Sequence, residues 1–306
     1  MSAVIDSLLE GAVDVHVHPA PSPFPRRIDA IEAAQGAAEA GMRAIVIKSH
    51  HHSTAMDVLA LAPYGLDALP VEVFGGIALN CAVGGLNPAA VDLSLAMGGK
   101  VVWLPTIAAP AHIEHVREAS IRFPTPLAAV REESPVDVWV TGTRELRPEL
   151  YEIFELIARA DAVLASGHLT GATVVRVFEE AHTAGVRRLL VNHPNFIVGV
   201  TAREVDQLIE LEAVFEHVLS HYDDESTFHL FELPILIDWI ERVGAERSLL
   251  ASDLGQARNP LPVASYRKIC GRLLSTGMDE STIRALVATT PARLLGLDER
   301  QCPPGG

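Results

Sequence analysis

The sequence has little cysteine and little positive charge, and both shortages restrict what the protein can be. Its three cysteines, Cys81, Cys270 and Cys302, are odd in number and far apart among 306 residues. Such a set forms no disulfide framework and suits a reducing compartment. The 24 lysines and arginines are outnumbered by 39 acidic residues, for a formal net charge of −15. Because nucleic acids and anionic membranes bind through a basic face, this charge argues against both as partners.

Long apolar runs and several well-known motifs are also absent. No apolar run approaches membrane-spanning length, and no charged N-terminal segment leads into an apolar signal core, so a soluble cytoplasmic protein is expected. Neither G-x-G-x-x-G after the first predicted strand nor G-x-x-x-x-G-K-S/T occurs, which weakens the alternative of a doubly wound nucleotide-binding fold. The sequence has no G-x-S-x-G element, so covalent catalysis by a serine is not expected.

What the sequence does contain is a regular alternation of apolar strands and helices. The strands are continuously apolar, which suits a parallel sheet buried on both faces, and eight βα units predict a closed (β/α)8 TIM barrel. We expect a single domain over 1–306 with an extra C-terminal helix. Strands are predicted over 12–18, 43–49, 71–78, 100–104, 162–167, 187–192, 213–220 and 248–252. Helices are predicted over 26–40, 53–62, 88–97, 147–159, 171–184, from about 202 after a Thr201–Glu204 capping box, and over 228–243, 261–275 and 279–295.

Residues 105–146 interrupt this alternation. They contain several prolines and two short β-type pieces, near 127–131 and 136–140, on either side of Glu133-Ser134-Pro135. The pattern predicts a hairpin-bearing excursion after strand four. Since it would leave the end of the barrel where catalysis takes place, it could act as a lid. A surface insertion or a contact in a homo-oligomer fits the pattern equally well.

Polar side chains stand at the ends of several predicted strands. In the first strand, His16 and His18 alternate with valines, so we expect both imidazoles on one face with Asp14 below them, and Val13, Val15 and Val17 on the other. The fifth, sixth and eighth strands are followed by His168, His193 and Asp253. Each residue alone is explained as a hydrogen-bonded histidine or a helix cap. Together they place four imidazoles and a carboxylate around one rim, a set suited to zinc, or to manganese, iron or cobalt.

This arrangement resembles the amidohydrolase superfamily of metal-dependent hydrolases, in a little-characterised branch. The segment 290–297, TPARLLGL, is similar to that superfamily's closing N-P-A-x-x-L-G-L helix, with threonine in place of asparagine. The resemblance spans nearly the whole chain. It implies an enzyme whose metal-activated water hydrolyses an amide, cyclic amide, lactone or ester bond of a small-molecule substrate. The alternatives are a single-metal decarboxylase or hydratase of the same superfamily and, from another class, a non-catalytic barrel that binds a ligand.

The resemblance also implies roles for the residues at the strand ends. His16, His18 and Asp253 would bind one metal, and His168 and His193 would bind a second where two ions are present. In single-metal relatives, His168 completes the first site and His193 orients substrate or water. Asp253 would also accept the proton from the metal-bound water, which makes Asp253 and His193 candidate catalytic residues.

Lys48 marks a departure from the superfamily pattern. Two-metal relatives usually supply a carbamylated lysine or a glutamate after strand four, and residues 102–106, VWLPT, offer neither. Lys48 ends the second predicted strand, and period-two alternation places it on the same face as His50. A carbamylated Lys48 could bridge two metals, and an ammonium could instead hold a substrate carboxylate or phosphate. Alternatively, the lysine extends to solvent at the rim.

The remaining polar candidates have weaker support. We expect His50, His221 and Tyr222 to contact substrate, because they follow the second and seventh strands. His112 and His115 lie in the excursion, and we expect them to face solvent.

Overall fold

A computed structural model describes residues 2–118 and 125–297. All paired strands run parallel. Along the chain they are β1 (Val13–Val17), β2 (Ala44–Ile47), β3 (Glu72–Phe74), β4 (Gly76–Ala78), β5 (Val101–Trp103), β6 (Val163–Ala165), β7 (Arg188–Asn192), β8 (Val214–Val218) and β9 (Ser248–Ala251).

The strands form two sheets that meet at both of their edges. One sheet has the order β1-β2-β3, and the other runs from β4 to β9 in sequence order. Only Gly75 separates β3 from β4, so these two segments occupy the predicted strand 71–78. At the other edge, Asp253 N donates to His16 O at 2.8 Å and His18 N donates to Leu254 O at 2.7 Å. The predicted α/β class, with parallel strands and helices in (β/α)8 order, is confirmed.

The helices follow the predicted order, with two additions. The chain also forms α1 (Ser2–Leu9) and α5 (Pro110–Glu118), which the sequence patterns did not predict. The others are α2 (Ala30–Glu39), α3 (Thr54–Leu61), α4 (Pro88–Ala96), α6 (Pro148–Ala160), α7 (Gly171–Thr183), α8 (Ala202–Glu210), α9 (Leu233–Val243), α10 (Pro262–Ser275), α11 (Glu280–Arg284) and α12 (Thr290–Leu294). A π-helical stretch, Ala285–Thr289, joins the last two.

Local signals explain where some of these helices begin. Thr201 and Glu204 form the predicted capping box at α8, with each side chain bonded to the other residue's backbone N–H. Asp29 and Glu32 form a second capping box at α2, which therefore begins later than the predicted residue 26. None of the helices in the described part of the chain combines the length and apolarity that a membrane span needs.

A β-bulge changes the expected faces of the first strand. The pairing of β1 with β2 shifts register between Asp14 and Val17. Val13 and Val15 therefore pack inside the strand ring with Trp103, whereas Val17 packs among helices. The expectation that all three valines share one face is wrong, because the extra residue of a bulge reverses the alternation. The Asp14 carboxylate accepts hydrogen bonds from His16 N at 3.1 Å and Ser252 N at 2.9 Å, which holds the bulge.

The excursion differs from the predicted hairpin. Residues 127–131 form no strand, and the β-structure near 136–140 is an isolated antiparallel bridge between Trp139 and Leu146. The hairpin prediction is therefore wrong within the described residues, and 119–124 lie outside them. Val136 N donates to Ala108 O at 2.8 Å, and this contact joins the later part of the excursion to its first residues after β5.

Gly75, at the join of the two sheets, gives a test of this packing. A Cβ there would lie 2.4 Å from backbone atoms of Thr54 and Ala55 at the start of α3. We expect Gly75→Ala to lower the free energy of unfolding by about 2 kcal/mol or more, since backbone must move to admit the methyl group. Gly36→Ala is the control, because its Cβ meets nothing within 4 Å in α2. It should raise stability by roughly 0.5 kcal/mol. Urea unfolding of both variants tests this, and equal stabilities would contradict it.

Candidate active site

Three acceptor atoms from the two ends of the strand ring converge on one point. His16 Nε2 lies 3.1 Å from His18 Nε2, and Asp253 Oδ1 lies 3.3 Å from the first and 3.0 Å from the second. Ligand atoms bound tetrahedrally to one zinc ion are separated by roughly 3 to 3.5 Å. The triangle therefore has the dimensions of a divalent metal site.

Hydrogen bonds fix how both histidines present their nitrogens. His16 Nδ1 lies 3.1 Å from Glu216 Oε1, and His18 Nδ1 lies 3.1 Å from Lys48 O. Since both partners accept, each neutral imidazole carries its proton on Nδ1 and directs the Nε2 lone pair at the triangle. Burial lowers the pKa of both histidines, which favours this neutral form. Two lone pairs and a carboxylate that face one another repel unless a cation lies between them, so the donor set fits a metal.

The third member of the triangle has a constrained backbone. Asp253 has a φ of +50°, and His193, at the end of β7, has a φ of +26°. Both values are uncommon outside glycine. Asp253 is held there by its N–H bond to His16 O, which also accepts from Ser252 Oγ at 3.0 Å. Strained residues of this kind are often found at functional sites.

Lys48 reaches into the site. Its Nζ lies 3.1 Å from His16 Nε2 and 5.1 Å from the centre of the Trp103 ring, and the residue is 2% exposed. The alternative in which it extends to solvent is therefore wrong. Burial lowers the pKa of Lys48 to about 8, although the carboxylates of Asp253 and Glu216 favour its charged form.

A second group of histidines faces the triangle from β6, β7 and β8. The ring of His193 lies 4.9 Å from that of His168 and 5.7 Å from that of His221. His193 Nδ1 donates to Phe196 O at 3.1 Å, which leaves its Nε2 as an acceptor. His112, on α5 of the excursion, brings its Nδ1 within 2.7 Å of His168 Nδ1. The expectation that His112 faces solvent is wrong, since it is 4% exposed.

Both groups of residues line one cavity of about 520 Å³. Volumes of this order suit small-molecule ligands. Its polar lining includes the triangle, Lys48, the second histidine group and the charged side chains of Arg26, Arg117, Arg131, Glu132 and Glu133, and the excursion contributes residues between 107 and 133. Apolar side chains complete the lining: Phe24, Ile107, Ile113, Val116, Phe196 and Phe228.

A sequence family model covers most of these residues. The model is described as a family of unknown function, DUF6282, and it matches residues 11–216. The chain belongs to this family. The matched range includes the H-x-H pair, Lys48, His168 and Glu216, and it ends before Asp253. No curated protein matches the chain in sequence.

Solved structures with the same fold include three with informative names. An amidohydrolase from Pseudomonas aeruginosa has a TM-score of 0.60 at 10% identity, with 96% of this chain and 98% of that chain covered. The probable dipeptidase PvdM from the same organism has a TM-score of 0.63 at 11% identity, with coverage of 96% and 97%. An organophosphorus hydrolase from Deinococcus radiodurans has a TM-score of 0.54 at 13% identity, with coverage of 94% and 93%. The resemblance to the amidohydrolase superfamily is thereby confirmed at the level of the fold.

In this DUF6282 chain, two of the three predicted substrate contacts lie at the cavity and one lies in the core. His50 and His221 line the cavity, and His50 Nδ1 bonds to Thr106 Oγ1 at 2.9 Å. Tyr222 is instead 1% exposed and packs in the core behind the cavity, where its hydroxyl accepts from Asn195 Nδ2 at 3.1 Å.

Sequence reasoning missed Glu216 and Asn192. Glu216 is fully buried, its pKa is raised to about 7 mainly by that burial, and its second oxygen accepts from Asn192 Nδ2 at 2.7 Å. One signal was available, since Glu216 is the one carboxylate of β8, where it lies among three apolar residues and His217. Buried carboxylates almost always have partners, so such a residue merits attention.

The contact between His112 and His168 can be tested by itself. We expect His112→Leu to remove this hydrogen bond, to shift the imidazole ¹⁵N resonances of His168, and to lower the free energy of unfolding by about 1 kcal/mol. Long-range ¹⁵N NMR of the imidazoles gives the readout. His182→Leu, on the half-exposed face of α7, is the control and should leave the His168 resonances in place. Unchanged His168 resonances in the His112 variant would refute the contact.

Proposed function

We propose that this protein is a metal-dependent hydrolase acting on an amide, cyclic amide, lactone or ester bond of a small molecule. The observation that carries the proposal is the triangle of His16 Nε2, His18 Nε2 and Asp253 Oδ1, with both histidines held in the ligand tautomer. The fold is shared with structures named as an amidohydrolase, a dipeptidase and an organophosphorus hydrolase, which supports the assignment. Zinc suits the donor set, as do manganese, iron and cobalt.

The chemistry that a divalent ion supplies when bound is Lewis acidity, which lowers the pKa of a bound water to about 7. Asp253 is the residue positioned to take up a proton beside the ion. Burial opposes ionisation of its carboxyl group, but interactions with His16 and Lys48 act in the other direction, and the net effect is a lowered pKa. An ionised carboxylate accepts the proton and returns it to the leaving group, as general base and then general acid.

The second histidine group would act on the opposite side of the cavity. His168 and His193 can hold a second ion, or orient the substrate carbonyl when one ion is present, and we assign a catalytic role to His193. Apolar side chains of the excursion, Ile107, Ile113 and Val116, line the same cavity. We also propose that the enzyme works in the cytoplasm, since Cys81 and Cys270 are both free thiols.

A single-metal decarboxylase or hydratase is the second candidate function. Among the described residues, one three-ligand cluster is found, and it consists of His16, His18 and Asp253. Residues 102–106, at the end of β5, supply no carboxylate to bridge two ions, and a modified Lys48 is the candidate for that bridge.

Metal analysis of the purified protein tests the main proposal. We expect at least one ion per chain in the wild type and loss of most of it in His16→Ala. Asp253→Asn should lower hydrolysis of a panel of aryl esters and lactones by about 10² to 10⁴, because the proton acceptor is lost. His217→Gln is the matched control, a buried histidine of β8 that faces Trp239 on the outer side. A metal-free wild type with full activity would refute the proposal.

The state of Lys48 separates the two candidate functions. For a two-metal hydrolase, we expect one tight ion in bicarbonate-free buffer, and a second ion together with a mass gain of one CO₂ on Lys48 when bicarbonate is added. Lys48→Arg should keep the first ion and never take the second. Native mass spectrometry measures both quantities. One ion and an unmodified lysine under all conditions would favour the decarboxylase or hydratase.

A further inference from the structure

Arg26 places a positive charge in the cavity without giving it a partner. It belongs to the loop between β1 and α2, and its side chain lines the cavity. Its Nε is buried, and no described residue accepts a hydrogen bond from it. Desolvating a charge is costly unless an opposite charge or hydrogen bonds compensate it. The buried Nε of this half-buried guanidinium, which has no hydrogen-bond partner among the described residues, therefore points to a ligand as its partner.

The backbone around Arg26 is held firmly. Arg27 N donates to Gly255 O at 2.8 Å, and Ala257 N donates to Pro25 O at 3.2 Å. Arg26 thus forms a bridge with Gln256 in the loop that carries Asp253. The position of Arg26 relative to the triangle is set by this bridge, so the guanidinium is available for binding without rearrangement of the loop.

The residues around Arg26 show on which side of the triangle it lies. Its charge acts on His18, His50 and His51, which lie at the ends of β1 and β2, and on Asp253. No ion pair joins Arg26 to Asp253 among the described residues, and the Oδ1 atom of Asp253 lies against His16 and His18. A ligand anion on the β1–β2 side would lie between Arg26 and the triangle.

Lys48 is less suited to this task than Arg26. Its Nζ bonds to His16, and the carboxylates of Asp253 and Glu216 already face its charge. The Nζ of Lys48 therefore already has a hydrogen-bond partner in the protein, whereas the Nε of Arg26 has none among the described residues.

We propose that Arg26 binds a carboxylate group of the substrate, which makes the substrate a small carboxylic acid with an apolar body. The statement that this ligand is a substrate rests on the proposed function. A planar guanidinium matches a carboxylate with two parallel hydrogen bonds. Arg26 contributes one positive charge, which matches the single negative charge of a carboxylate. The apolar body packs against Phe196 and Phe228 on the cavity wall.

Binding of three probes to the purified metalloprotein tests the proposal by calorimetry. Benzoate carries the carboxylate, benzamide is its neutral counterpart, and phenyl phosphate is the alternative anion. We expect benzoate to bind about tenfold more tightly than benzamide, and Arg26→Met to abolish that preference. Arg26→Lys should restore part of it. Arg131→Met, at an exposed arginine of the same lining, is the control and should keep the preference.

Three outcomes would overturn the assignment. The first is equal affinity of the wild type for benzoate and benzamide. The second is an unchanged preference in Arg26→Met with a native unfolding temperature, which would mean that benzoate binds through the metal alone. The third is tighter binding of phenyl phosphate through Arg26, which would assign the site to a phosphoryl group.

A further variant separates this inference from the proposed function. His16→Ala removes a metal ligand and leaves Arg26 in place. Retention of the benzoate preference in that variant supports the carboxylate site even if metal-dependent hydrolysis is disproved. Conversely, a metal-dependent hydrolase whose Arg26→Met variant has unchanged KM for carboxylate substrates would disprove the carboxylate site alone.

Discussion

The site depends on the hydrogen bonds that join the end of β1 to the segment after β9. Asp253 N and Ser252 Oγ both donate to His16 O, and His18 N donates to Leu254 O. These bonds connect the first and last strands and bring a carboxylate against two imidazoles that are more than 200 residues earlier in the chain. The same bonds hold Asp253 at a positive φ, so the closure of the strand ring and the geometry of the triangle are one structural feature.

Beneath the triangle lies a fully buried polar network. Glu216 connects His16 to Asn192, and Asn192 accepts a hydrogen bond from Gly167 N next to His168. A buried carboxylate is costly unless hydrogen bonds satisfy it, and both Glu216 oxygens have donors. This network therefore orients His16 of the triangle and connects it, through Asn192, to the backbone next to His168 on the other side of the cavity.

The loops around the rim add what the strand ends do not provide. Strand ends supply the histidines and Asp253, which are suited to activating water. The loop after β1 supplies Arg26, and the excursion after β5 supplies His112 together with apolar side chains. In the proposed function, reaction chemistry and substrate selection are thus assigned to different parts of the fold, as is common in (β/α)8 enzymes.

The sequence by itself determined the order of strands and helices and the residues at the strand ends. Apolar runs and helix caps are local signals, and parallel strands bring their carboxyl ends to one side, so His16, His18, His168, His193 and Asp253 could be placed together. Only the tertiary structure decided the β-bulge in β1, the helix α5, the lack of a strand at 127–131, and the inward positions of Lys48, His112 and Arg26. Those features arise from contacts between distant segments, such as Asp14 with Ser252 and Pro25 with Ala257, for which the local sequence carries no pattern.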